Sequence, residues 1–263
     1  DGAPLDDTLG LAYSSASGTM QAHLEGLPTL PFQIANAARA AVTASDLALA
    51  GFPGPKDPME GQFGYFRLFD HGNLARYTND LGKVWRISEV SVKPFPSGRA
   101  SHALIGGIQE LQLRPESILS LDIYVPPLVH RLIGRPCIQD MTPAYARLCG
   151  PLLGALALRD GRIDPRCFTS ETFADPALLE LASRIHVIVD DNSDPNALSP
   201  QRIFVKSHNG HVEKDIPATL GSPENPLNAD QSEAKYIFAR DLAPIDSDPR
   251  IFDFPLTYFT DPT

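Results

Sequence analysis

Apolar positions in the first third of the chain recur at helical spacing. The stretch FQIANAARAAVTASDLALAG, Phe32 to Gly51, is rich in alanine and leucine and stops at a glycine, which predicts a well-packed helix with Gly51 as its C-terminal cap. The first 85 residues read as mainly helical. After LGKVWRISEV the period shortens: SILSLDIYV alternates Leu119, Leu121, Ile123 and Val125 with polar positions, the two-residue period of a half-buried strand. RIHVIVDD repeats it with Ile185, Val187 and Val189, and RIFVKSHNGHVEKDI places Asn209-Gly210 between two strand-like runs, a hairpin signal. Two helices are predicted between the strands, PAYARLCGPLLGALAL and PALLELASR, opened by Pro143 and Pro176. From Ala218 a polar loop and one short helix lead into a tail rich in proline and acid. The pattern is α+β: a helical domain over 1–88, a mixed α/β domain over 89–218, then a return to the helical domain and an irregular tail over 219–263. No internal repeat is present.

Composition narrows the partners. With 263 residues the chain is long enough for a substantial core. A net charge of -10, from 22 Lys+Arg against 32 Asp+Glu without a basic block, argues against nucleic acid and anionic membranes. Cys137, Cys149 and Cys167 form no CxxC pair, and an odd number of spaced thiols suits a reducing compartment, here read as the cytoplasm. No apolar run approaches the roughly 20 residues of a membrane span. The start, DGAPLDDTLG, has neither a signal segment nor an initiator methionine and reads as an internal or processed position.

Against this acidic background, KPFPSGRASH, Lys93 to His102, gathers a lysine, an arginine and a histidine. Pro94 and Pro96 favour extended backbone before them, and Gly98 permits a turn ahead of the helical pattern Leu104, Ile105, Ile108, Leu111. Ser97 or Ser101 is expected to cap that helix, with Arg99 and His102 three apart on one side of it. A helix N-terminus beside an arginine fork suits a carboxylate, and Lys93 or His102 can then exchange a proton next to it. The same residues also read as solvated cations around a packed histidine.

These residues and their neighbours resemble the MmgE/PrpD family, which includes 2-methylcitrate dehydratase, cis-aconitate decarboxylase and iminodisuccinate epimerase. The resemblance runs through SGTMQAHLEGLPTLPFQIANAARAAVTASDLALAGFPGP, MEGQFGYF, LGKVWRISEVSVKPFPSGRASH, MTPAYARLCGPLLGALALRDGRID and GSPENPLN, in the family's order. It implies a helical domain carrying a smaller α/β lid, with the active site between them. Lys93 matches the lysine of the family's K-x-[FY]-P motif and His102 the histidine nine residues on, which implies that these two are catalytic. Ser97, Gly98 and Arg99 would contact substrate, and their SGR context is similar to epimerase-type members. Dehydratase and decarboxylase members often differ at Ser97 and Gly98, with a histidine at the latter in some. Leu30 stands where some decarboxylase members have a lysine. Arg147 and Cys149 fall where members carry a polar and a small residue beside the cleft. Beside the family the chain starts near SSASGTMQ, so the N-terminal half is expected to be missing, with a second polypeptide or a homo-oligomer completing the site.

Other motifs carry less. His23, in MQAHLEG, reads first as a helix-terminal or surface histidine and only second as a substrate-binding residue. DDNSDPN, Asp190 to Asn196, lacks the central glycine and distal glutamate of a calcium loop, so no metal is expected. The glycines of MEGQFGYF make no phosphate loop, and no cofactor is expected. The expected function is a cofactor-independent lyase or isomerase that takes the proton next to a carboxylate of a small di- or tricarboxylate. The alternative is a non-catalytic binding or assembly subunit, or one half of a two-chain enzyme. Lysine serves as such a base only when desolvated or set beside other cations.

Overall fold

A computed structural model describes residues 2–253. Helix α1 (Leu5–Ser14) crosses α2 (Thr29–Leu49) and touches the loop that follows it. The approach is close enough that a Cβ on Gly10 would fall 2.3 Å from the Pro55 carbonyl oxygen. Asp7 secures the loop by accepting from the Gly54 N–H at 3.0 Å and from Lys56. Gly51 follows α2 with φ 82° and donates to the Ala48 carbonyl, the left-handed termination its sequence suggests. The expectation of a well-packed helix is corrected, however. Helix α2 buries Ala44 and Ala48, whereas Phe32, Ile34 and Val42 are 66%, 64% and 63% exposed. Its one long neighbour, α1, has ten residues and covers a single side. Beyond α2, glycines and prolines break the chain into turns and two short helices, Tyr65–Leu68 and Ala75–Thr78, so the mainly helical reading to residue 85 holds as far as Leu49.

The sheet-bearing part opens with α3 (His102–Leu111) and β1 (Ile118–Val125), followed by α4 (Pro127–Ile133), α5 (Gly150–Asp160) and α6 (Pro176–Ser183). Strands β2 (Ile185–Val189), β3 (Gln201–Ser207) and β4 (Gly210–Ile216) complete a sheet of order β2-β1-β3-β4. β1 and β2 are parallel, joined by the helical crossover, and the other pairs are antiparallel. Helices α3 and α5 pack on one face, where Leu104, Ile105, Leu152, Leu153 and Leu156 meet Leu121, Ile123, Ile203 and Val205. All are fully buried, and each such side chain stabilises the fold by roughly 1.5–3 kcal/mol. The other face is solvated and polar, with His186 Nδ1 2.7 Å from Asp122 Oδ1.

Three local readings change. An irregularity between Ile118 and Ser120 in β1 puts Ile118 in the core and leaves Leu119 exposed, so the expected inward alternation holds only from Leu121. The hairpin loop is His208-Asn209, one residue earlier than expected, because Gly210 with φ 123° already pairs with Ser207. The single helix read from Pro143 is two: Pro143–Ala146 ends before Arg147, and α5 starts at Gly150. Pro151 has no N–H to give Arg147, so the helix cannot run through.

Helix α7 (Ala229–Asp241) begins with a capping box between Asn228 and Gln231. Its contacts run to the sheet-bearing part, with Arg162 over the Phe238 ring at 5.3 Å and Arg166 3.2 Å from Asp241. Arg250–Asp253 forms a last short helix; the end of the expected irregular tail, 254–263, lies outside the described residues. Among the described residues no helix is long and apolar enough to cross a membrane.

Candidate functional site

The segment from Val92 to His102 is held from two sides. The Val92 N–H donates to the Gly221 carbonyl at 2.8 Å, and Gly221 donates to the Asn225 carbonyl at 2.8 Å, which closes the GSPEN loop against the segment that carries Lys93. Gly221 has φ 86°, and a Cβ there would lie 2.0 Å from the Val92 carbonyl oxygen, so the contact requires glycine. On the other side the Gly98 N–H donates to the Arg147 carbonyl at 3.0 Å. The break between Pro143–Ala146 and α5 frees that carbonyl for it.

A single 3-10 turn, Arg99–Ser101, leads into α3. The expected serine cap is corrected: no side chain caps either helix start. Instead the Ser101 hydroxyl donates to the Gly98 carbonyl at 2.8 Å, and Ser97 Oγ lies 2.8 Å from Ser101 Oγ. Both serines are buried, so their hydroxyls fix the turn. The helix N-terminus keeps its positive end without a side-chain acceptor of its own.

His102 is 1% exposed, edge-on to Phe95 at 5.4 Å, and its Nε2 is buried without a hydrogen-bond partner. Burial lowers its pKa from 6.5 to about 4, and the Lys93 charge and, more weakly, Arg99 push the same way. The Ser97 and Phe95 backbone groups act against this shift and are outweighed. The imidazole is therefore neutral at pH 7, on the first residue of a helix and within reach of the Lys93 and Arg99 charges.

Lys93 is exposed rather than desolvated, and its ammonium donates to the Ser97 carbonyl at 3.3 Å. Arg99 is half-buried. Lys93, Ser97, Gly98, Arg99 and His102 thus share one turn of chain. Arg147 joins them through its backbone, while its guanidinium lies over the Phe168 ring at 5.2 Å. His23 sits elsewhere: its carbonyl accepts from Arg135 Nη2 at 3.0 Å, and burial, then the Arg135 charge, lowers its pKa. The sequence reading gave no role to Glu224. Its pKa is lowered, first by its own backbone N–H and in smaller part by Arg99. The signal was the GSPENPLN motif, whose place against Lys93 depends on a contact more than a hundred residues away in sequence.

Among the described residues no group of three or more His, Cys, Asp or Glu is placed to hold a metal ion. In DDNSDPN the side chains of Asp190, Asn192 and Asp194 each accept from a backbone N–H two residues on, a run of turns.

The α+β chain sets a neutral, buried histidine at a helix start, with Lys93 and Arg99 near enough for their charges to lower its pKa. A family model described as the MmgE/PrpD C-terminal domain matches residues 95–243, and one described as the MmgE/PrpD N-terminal domain matches residues 1–78. The chain belongs to the MmgE/PrpD family, a generally enzymatic family of the dehydratase and lyase kind. The second match corrects the expectation that the N-terminal half is missing, since residues 1–78 are themselves of that domain. A comparison with curated proteins found no match.

Proposed function

We propose that the chain is a cofactor-independent lyase or isomerase that removes the proton next to a carboxylate of a small di- or tricarboxylate. Lys93 and Arg99 hold the carboxylate and His102 takes the proton. The observation that carries this reading is the His102 imidazole, neutral at pH 7 with a buried and unpartnered Nε2.

An imidazole with a pKa of about 4 is free to accept a proton but accepts it weakly. Two of the causes are cations that a substrate carboxylate neutralises when it binds. Pairing with Lys93 and Arg99 therefore raises the proton affinity of His102, so that the base strengthens once substrate is in place. As the C–H bond breaks, negative charge spreads onto the carboxylate, where the two cations and the positive end of α3 stabilise it. In a dehydration the C–H electron pair forms the double bond and the hydroxyl leaves, taking a proton from the Lys93 ammonium to become water. In an epimerisation a base on the opposite face returns the proton.

The test is an NMR titration of His102 with and without citrate as probe. The reading expects citrate to raise the His102 pKa by about one unit or more. No shift on saturation would contradict it. The exposure of Lys93 favours a second reading, a carboxylate-binding subunit without turnover. That reading predicts the same shift but no exchange of substrate hydrogen with solvent.

A further inference from the structure

Cys137 and Cys149, twelve residues apart in sequence, come together in the fold: Cys149 Sγ lies 3.6 Å from the carbonyl of Arg135, two residues before Cys137. Cys149 is fully buried at the start of α5, and Gly134 bridges to it across the backbone. Its S–H has two acceptors in reach, the Arg135 carbonyl at 3.6 Å and the Cys137 sulfur. Cys137 is half-buried and lines a surface cavity of about 340 Å³ with Ile138, Pro151 and Leu179. One thiol thus faces solvent through a cavity, and the other waits behind it.

We propose that Cys137 and Cys149 form an oxidisable dithiol site that reacts with a peroxide and closes to an intramolecular disulfide. The order follows from access and charge. The Cys149 S–H beside the Cys137 sulfur favours the Cys137 thiolate and lowers its pKa, while the same contact and burial raise that of Cys149. The Cys137 thiolate attacks one peroxide oxygen, the O–O bond breaks, and hydroxide leaves, giving a sulfenic acid. The Cys149 sulfur then displaces the sulfenic hydroxyl, which departs as water with the Cys149 proton, and the S–S bond forms. Two thiols are oxidised, and one hydrogen peroxide is reduced to two waters. Bond formation requires the sulfurs to close to about 2.05 Å. Cys137 can move to meet this, because Pro136–Asp140 belongs to no helix or strand. Cys167 takes no part; burial, more than nearby acidic groups, raises its pKa.

The reduced full chain is treated with hydrogen peroxide, the remaining thiols are alkylated under denaturing conditions, and intact mass and peptides are read. The expected result is a loss of two hydrogens, a Cys137–Cys149 cross-link and an alkylated Cys167. In Cys137→Ser, at the half-exposed position, Cys149 should stay reduced at the same peroxide dose. The proposal is overturned if Cys137 runs to sulfinic acid while Cys149 remains alkylatable. It is equally overturned if the cross-link uses Cys167 or joins two chains, or if Cys149 oxidises in Cys137→Ser at the wild-type rate.

Discussion

The Gly98 N–H donates to the Arg147 carbonyl at 3.0 Å, and this bond ties the turn before α3 to the chain break before α5. The cations and the histidine therefore stand on a turn fixed by two distant segments, this one and the Gly221 loop. Each segment yields a test.

Gly221→Ala should unfold the support of Lys93. The substitution places a Cβ 2.0 Å from a backbone oxygen at a φ of 86°, where a non-glycine residue is already strained. Clash and strain together should cost about 2–4 kcal/mol in urea unfolding and weaken citrate binding. An unchanged midpoint would show that the GSPEN loop does not dock as described.

His102 should make stability depend on pH. Its pKa is about 4 in the fold and 6.5 as the ordinary value, so between these values the unfolded chain binds the extra proton. The contribution is fully present above pH 6.5 and is lost as pH falls towards 4. At pH 4 the loss is roughly 3 kcal/mol. Replacing the ring in His102→Asn removes this component, so the stability gap between wild type and variant should narrow by that amount from pH 7 to pH 4. Parallel pH profiles would contradict the neutral, buried imidazole.

Arg99→Ala should weaken citrate binding by calorimetry about tenfold to hundredfold, the usual loss for a charged hydrogen bond. Arg147→Ala should leave the affinity unchanged, because its guanidinium rests on Phe168 and its carbonyl, which survives the substitution, is the part that meets Gly98. A loss in Arg147→Ala equal to that in Arg99→Ala would put both guanidiniums on the ligand.

The exposed surface of α2 predicts association. Phe32, Ile34 and Val42 point in different directions around this helix, each with most of its surface in water, and exposed apolar surface of this kind usually marks an interface. Light scattering should find a species larger than the 28.5 kDa chain, and Phe32→Ser combined with Ile34→Ser should shift it towards monomer. A wild-type monomer at all concentrations would refute this.

Elements were legible where the determining interactions are local. The strands, the Gly51 termination and the cluster from Lys93 to His102 each follow from a few adjacent residues. What stayed hidden depends on partners far along the chain. Nothing near Leu119 announces the irregularity that turns it outward. The carbonyl of Arg147 is free for Gly98 only because a helix that looks continuous breaks ahead of Pro151. His23 finds Arg135 across more than a hundred residues, and Cys137 finds Cys149 because a loop folds back on α5. The net effect on His102 was equally unreadable, since burial, the largest cause of its low pKa, is a property of the packed core.

Solvent deuterium incorporation into small hydroxy-di- and tricarboxylates, followed by NMR, tests the proposed chemistry most directly. The wild-type chain should incorporate deuterium at the carbon next to a carboxylate of at least one of them, and His102→Asn should lose this exchange about a hundredfold or more while retaining citrate binding. Exchange at the wild-type rate in His102→Asn, or none by the wild type with any of these acids, would contradict His102 as the base.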